Sequence, residues 1–548
     1  MNFIENESPT KLRGGYYTDT NLAQFLARWV FEIKPRRVLE PSCGDGVFFE
    51  AMGKVQNEGL EYVLGFEIKP SEAAKAKERG STFLKIEPDI RIRDFLNWAL
   101  IRFPSGEKFD GVLGNPPYIR YQYLDENQQN MAEAIFRYHS LPFTKHTNAW
   151  VPFVIASVAL LTPGGRIGMV LPAELLHVLH AQSLRNFLSK ECERLLIIDP
   201  NELWFEDALQ GAIILLAQKK TSRNIVCKGL GIVQTRSKNF LDLDPSEIFD
   251  GVEYLNGETI EGKWMKAFLN KKEREVLSNI KNRKDVCRFD SLAEVDVGIV
   301  TGANKFFLVN DEVVEKFGLN KWAHPMFGRS EHVGGVIYSE VSHATNRQNG
   351  LPTNFIWFGD EPIDEFPKNV RTYIESGERE GLHTRYKCRV RNPWYSVPSV
   401  YFAPVGMLKR AHNFPRLILN RAKAFTTDTA YRIKPKVVSD EQLVYSFLNS
   451  LTALTAELEG RHYGGGVLEL VPSEIERLLV PVARMGTGDL AGLDDSLRSG
   501  ASAEELLAMQ DKKILRDIGL TRSEIDIIFS AWNRLRRRRQ RATQEKTS

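Results

Sequence analysis

Asn115-Pro116-Pro117-Tyr118 sets an amide, a proline-fixed backbone carbonyl and an aromatic ring side by side. The two carbonyls are hydrogen-bond acceptors and the ring is a stacking face. A second cluster, Glu40-Pro41-Ser42-Cys43-Gly44-Asp45-Gly46, is a glycine-rich turn behind an acid. Glycines let a ligand approach the backbone, and a helix starting after such a turn offers free N–H groups. Glu67 lies 21 residues after Gly46, about where a Rossmann-type unit places its ribose-binding carboxylate. Asp94-Phe95 pairs an acid with an aromatic, a set that can bond an adenine amino group and pack on its ring. Glu67-Ile68-Lys69 could also be the end of a nuclease-type metal site. In a chain that is 26% charged such a triplet arises readily by chance.

Each cluster follows an apolar run. Val38-Leu39-Glu40, Glu61 to Glu67, Ile90 to Ile92 and Phe109 to Leu113 read as short buried strands. Val47 to Met52 reads as the helix after the glycine turn. Pro116 and Pro117 have no N–H for a strand ladder, so the chain leaves the sheet there. In open α/β sheets ligands bind at the C-terminal strand edge, where all four clusters would sit. Residues 20–33 repeat apolar side chains at helical spacing, with Thr20 as N-cap and Gly14 to Asp19 as a loop before it.

The chain has 548 residues, room for two to four domains, with an ordinary 43% hydrophobic composition. The net charge of +3 neither demands nor excludes a nucleic-acid partner. No apolar run is long enough to span a membrane, and the polar, acidic N-terminus does not read as a signal peptide. Five scattered cysteines without a CxxC pair argue against a metal site or disulfide framework and fit a reducing cytoplasm.

The ordered series Thr18, Val38 to Gly46, Glu67, Asp94-Phe95 and Asn115 to Tyr118 resembles the gamma (TaqI-like) class of S-adenosylmethionine-dependent DNA amino-methyltransferases. The likeness continues through Leu161 to Pro172 and Leu203-Trp204-Phe205-Glu206-Asp207-Ala208, before the apolar run Ala212 to Leu216. The tetrapeptide alone is shared with protein-glutamine and some RNA methyltransferases; the ordered series is far more specific. Two departures stand out: Ser42 and Asp45 in the glycine turn, and Asp19-Thr20 where proline is common.

The resemblance implies an α/β fold. A Rossmann-like class I methyltransferase domain with a mixed, mostly parallel sheet covers residues 1–225. A mixed α+β target-recognition domain covers 226–482, and a linker with a small helical, basic C-terminal segment covers 483–548. It implies that S-adenosyl-L-methionine is held by Thr18, Glu40, Ser42, Gly44, Glu67, Asp94, Phe95, Asn115 and Pro117. The substrate would be double-stranded DNA in a prokaryotic cytoplasm, protected from a cognate restriction endonuclease. The catalytic set would be Asn115, Pro116, Tyr118 and Phe205.

These residue types suit an exocyclic amine. The adenine N6 lone pair is delocalised into the ring, so N6 is a poor nucleophile. Acceptors for its two N–H groups, the Asn115 amide oxygen and the Pro116 carbonyl, draw it toward tetrahedral geometry. Positioning for an in-line displacement is then the main catalytic contribution. Tyr118 and Phe205 are stacking faces for a base flipped out of the duplex. The same fold acting on cytosine N4 is an alternative, and so is an inert DNA-binding protein.

Later segments keep this pattern. Val297 to Val309 reads as strand, turn and strand; Tyr386 to Tyr395 interleaves bases with aromatics; Tyr463 to Leu470 is a glycine-loosened strand. Residues 482–502 read as a linker, and Thr521 to Glu524 as a capping box. Arg534 to Arg541 reads either as a phosphate grip or as a solvated tail.

Overall fold

The computed structural model describes residues 18–55, 59–200, 211–235 and 237–544. An eight-stranded sheet organises the first half. Its strands are β1 (Arg37–Glu40), β2 (Tyr62–Glu67), β3 (Asp89–Ile92), β4 (Phe109–Gly114), β5 (Leu161–Pro172), β6 (Cys192–Pro200), β7 (Ala212–Lys219) and β8 (Gly229–Thr235). The spatial order is β3-β2-β1-β4-β5-β7-β6-β8. β1 pairs in parallel with β2 and β4, β2 with β3, and β4 with β5; β7 runs antiparallel to both its neighbours. This is the mixed, mostly parallel sheet expected of a class I methyltransferase. Val38, Leu39, Val112 and Leu113 are fully buried, as strands covered on both faces require.

Helix α1 (Thr20–Phe31) lays Trp29 against this sheet, with its indole N–H donating to the Ile167 carbonyl (3.1 Å). The N-cap is Asp19, not Thr20: the Asp19 carboxylate accepts from the N–H groups of Asn21 and Leu22. Both residues are good caps; the extended backbone at Asp19 decides between them. Thr18 is thereby fixed just ahead of the helix.

By contacts the chain divides into two compact units, 1–269 with short pieces at 463–465 and 540–548, and 270–462 with 466–539. The first unit passes the boundary of 225 read from the sequence, because β8 adds a parallel edge strand beside β6.

The second unit carries a five-stranded sheet built from Ala293–Val297, Ala430–Pro435, Val405–Leu408, Leu417–Asn420 and Ile337–Tyr338. A four-stranded sheet lies beside an aromatic core that includes Phe306, Phe358, Tyr373, Trp394 and Tyr395. Between Val297 and Val309 the turn closes through a helical piece, Asn304–Phe307.

The C-terminal segment is no separate domain. The expected linker contains a helix, Asp489–Arg498, whose Asp494 accepts from the backbone of Val336 (2.7 Å) and Ile337 (2.8 Å). The Thr521–Glu524 capping box forms as read. In the final helix, Arg522–Gln544, Ile528, Trp532 and Leu535 are fully buried. Part of the arginine run is taken up within the fold. Arg539 is buried against the equally buried Glu457 (2.7 Å) and donates to the His412 carbonyl (2.8 Å), while Arg536 pairs with Glu504.

Asp511 is 1% exposed and accepts from the Ser450 N–H (2.8 Å). Burial pushes its carboxyl up to about 7, against the pull of the Ser450 bonds. Between the ordinary carboxylate range and that value the folded chain binds the extra proton, so stability falls as pH rises through this window. Asp511→Asn keeps the acceptor and removes the titration. Its melting temperature, relative to the wild type, should therefore be higher at pH 8 than at pH 5. An equal offset at both pH values in calorimetry would contradict this.

Candidate active site

β1 and β4 are neighbours, yet the chain departs from them to opposite sides of the sheet: to β2 after β1, and to β5 after β4. A crevice opens outside the C-terminal ends of such a strand pair. Glu40 ends β1 and Asn115 follows β4, so the two leading sequence clusters meet there. The Ser42 hydroxyl donates to the Asn115 backbone carbonyl (3.1 Å) and ties the clusters together.

Asn115 donates its amide N–H to the Thr18 hydroxyl oxygen (3.2 Å). This bond fixes which edge of the amide carries the acceptor Oδ1. Thr18, buried itself, thus acts as a positioning group for Asn115, and Ser42 does the same for its backbone. Pro116 is buried, while Pro117 and Tyr118 are half-buried. Asn148, which the sequence reading missed, steadies the chain beyond: its carbonyl accepts from the Tyr121 N–H (3.3 Å) and its amide donates to Glu174 (2.9 Å). An isolated Asn 33 residues after Asn115 carries no local sequence signal.

The glycine turn is built as its composition demands. Gly46 has φ +86°, and a Cβ there would lie 2.7 Å from the Ala76 Cα, so only glycine fits. Gly44 also has positive φ, but a Cβ on it would meet nothing within 4 Å; the turn faces open space. Helix α2 (Val47–Lys54) starts directly behind it.

Glu67 accepts from the N–H of Gly44 (3.1 Å) and of Lys69 (2.9 Å), one on each oxygen. A carboxylate has about four lone-pair sites, so capacity for hydroxyls remains. Asp94 caps helix α3 (Phe95–Arg102) by accepting from the Asn97 N–H (2.9 Å). Burial raises its pKa, against the backbone bonds it accepts. The Phe95 ring is 1% exposed and packs on Phe66 and Phe153, with centroids 5.5 and 5.4 Å away. The ring lies in the core, and Phe95 begins the helix that Asp94 caps. Phe205 lies outside the described residues.

Glu40 is the least ordinary group. It is fully buried, and neither carboxylate oxygen has a hydrogen-bond partner among the described residues. Burial raises its pKa well above the ordinary value, and Asp45 and Glu67 push the same way. A buried carboxyl without a donor costs several kcal/mol if ionised, so the site favours a cationic ligand group that would pair with it. Among the described residues no group of His, Cys, Asp and Glu could hold a metal ion. No described helix is long and apolar enough to cross a membrane.

Comparison with known proteins identifies the family. Residues 48–204 match the family described as Eco57I restriction-modification methylase, and residues 261–515 match the C-terminal domain of the type II methyltransferase M.Eco57I. The chain belongs to the type II restriction–modification DNA methyltransferases. Within that family it is 26% identical to the type II methyltransferase M.AccI of Acinetobacter calcoaceticus, over 84% of each chain. It is 25% identical to M.BstVI of Geobacillus stearothermophilus over 94% of this chain and 95% of the relative. The solved structure of a DrdV–DNA complex superposes with a TM-score of 0.51 at 11% identity, covering 91% of this chain and 58% of that one. The fold is thus shared with that structure at low sequence identity.

Proposed function

We propose that the protein transfers a methyl group from S-adenosyl-L-methionine to N6 of an adenine flipped out of duplex DNA, within one short sequence. The observation that carries this reading is the hydrogen-bonded joining of two clusters at the β1–β4 edge: the buried Glu40 turn and the Asn115-Pro116-Pro117-Tyr118 segment. When bound, S-adenosyl-L-methionine supplies a methyl group on a positively charged sulfur. Glu40 takes its ammonium, which explains a carboxyl buried without a donor among the described residues. Gly44 leaves room for it, Glu67 takes the ribose hydroxyls, and Asp94 with the start of α3 takes the adenine.

The chain's own residues prepare the acceptor. Asn115 Oδ1 and the Pro116 carbonyl accept from the two N–H groups of N6 and aim its lone pair. Thr18 and Ser42 hold those acceptors in place. Tyr118, with Phe205, stacks the flipped base and offsets an unstacking cost of a few kcal/mol by about 1–3 kcal/mol per ring. The N6 proton leaves after transfer, from an already cationic nitrogen, so no strong general base is required. The second unit would read the sequence, and the biological role would be protection from a cognate restriction endonuclease in a prokaryotic cytoplasm. Incubating the protein with methyl-labelled donor and DNA, then separating the nucleosides, tests the base assignment. Label in N6-methyladenine is expected; label in N4-methylcytosine would transfer the assignment to cytosine.

A further inference from the structure

Residues 381–394 of the second unit carry Arg385, Lys387, Arg389 and Arg391 and no acidic residue. Arg391 turns inward and donates to the carbonyls of Val300 (2.6 Å) and Thr301 (2.7 Å). Gly302 has φ +79°, and a Cβ on it would lie 2.7 Å from the Lys387 Cβ. The helical turn Tyr386–Arg389 is therefore pressed directly against the 300–302 backbone. On its other side the chain is anchored by Trp394, whose ring is buried 5.2 Å from Phe306 and whose indole N–H donates to Glu378 (3.0 Å).

This pinned turn holds its remaining side chains outward. Tyr386 is 64% and Val390 66% exposed, and being four residues apart they share one face. Lys387 Nζ and Arg389 Cζ each lie 5.6 Å from the centre of the Tyr386 ring. Arg385, Lys387 and Arg389 are all exposed, and among the described residues none of them forms an ion pair. Some other exposed arginines of the unit are paired, as Arg347 is with Asp311 and Arg498 with Asp494. Three like charges around an exposed aromatic repel one another unless a polyanion neutralises them.

We propose that Arg385, Lys387 and Arg389 grip phosphates of duplex DNA, with Tyr386 and Val390 set into the adjoining groove. The inference rests on the DNA reading above and assigns it a surface. A rigid support suits this task, because phosphate contacts set the register in which bases are read. Lys387 and Arg389 lie beside the exposed Tyr386 ring on one short helical turn, with Arg385 just ahead of it, which places three charges close together for a strand bearing one phosphate per about 3.4 Å of axis. The single exposed ring fits a sugar or base edge between them.

The test uses the full chain and a fluorescein-labelled duplex of random sequence, titrated by anisotropy at several KCl concentrations. In Arg385→Gln/Lys387→Gln/Arg389→Gln the slope of log affinity against log salt should become shallower by about 2–3, at about 0.9 per phosphate. Tyr386→Ala should weaken binding about 5- to 100-fold without changing the slope. Calorimetric binding of S-adenosyl-L-methionine, unchanged in both variants, would show that the fold is kept. A triple variant with the wild-type slope overturns this surface alone. A wild type with no affinity for duplex overturns the DNA reading and the surface with it.

Discussion

Asn115→Ala should abolish most methyl transfer while the protein still binds its donor. The side chain contributes one of the two acceptors that shape the amine, and it does so from a fixed orientation, since its N–H edge is held by Thr18. Removing one preoriented polar group from a reacting centre costs on the order of 10²–10³ in kcat. Donor affinity should change by less than about tenfold, the range of a single net hydrogen bond. Thr18→Val should show a weaker form of the same effect: the amide remains but loses its orienting partner. Single-turnover methylation with equilibrium donor binding on the same preparations separates the two quantities. Unchanged turnover in Asn115→Ala would refute its role as an acceptor for the reacting amine.

Glu40→Gln should do the reverse, damaging donor binding first. A buried charge-assisted pair that loses one partner costs about 2–5 kcal/mol, so the donor dissociation constant should rise roughly 30- to 5,000-fold. The unliganded variant should be at least as stable as the wild type, because it no longer buries an ionisable group without a donor. The proton balance gives an independent sign. Burial and the acids at 45 and 67 raise the Glu40 pKa, so the unliganded chain holds its proton above the ordinary carboxyl range. Pairing with an ammonium requires that proton to leave. Donor binding should therefore release a proton in the wild type and tighten as pH rises toward that raised value. Calorimetry in two buffers of different ionisation heat reads the release directly. Its loss in Glu40→Gln is expected; equal release in both proteins would place the titrating group elsewhere.

The four strand ends were legible in the sequence because each is a local statement. An apolar run sets the strand, and the residue after it sets what reaches the edge. The double proline after β4 and the glycines after β1 are such statements, and their order fixed the switch point. What stayed hidden depends on partners far away in the chain. Glu40 reads as an ordinary strand-end acid until its complete burial is seen. Phe95 follows an acid at a strand end, as a ligand residue would, yet Phe66 and Phe153 draw its ring into the core. The arginine run reads either as a phosphate grip or as a solvated tail because sequence displays charge without distance; Glu457, 82 residues from Arg539, shows that this arginine is neither. The first compact unit runs past residue 225 for a similar reason. β8 joins the sheet only by pairing with β6, more than 30 residues earlier.

Thr18, Ser42 and Asn148 show the same limit within the site. Each has a type and position compatible with ligand contact; Thr18 and Ser42 bond to Asn115, and Asn148 bonds to Tyr121 and Glu174. On the proposed reading Thr18 and Ser42 would hold the acceptors still beside any contact they make with the donor, and positioning is the main catalytic contribution this chemistry can draw from a protein.

The central proposed event is methyl transfer to adenine N6 inside a specific duplex sequence. Duplex DNA of high sequence complexity, incubated with purified protein and S-adenosyl-L-methionine and then sequenced with base-modification detection, measures it directly. N6-methyladenine confined to one short motif, absent without donor and absent with Asn115→Ala, is the predicted result. Modified cytosine, modification without sequence preference, or no modified base at all would contradict it.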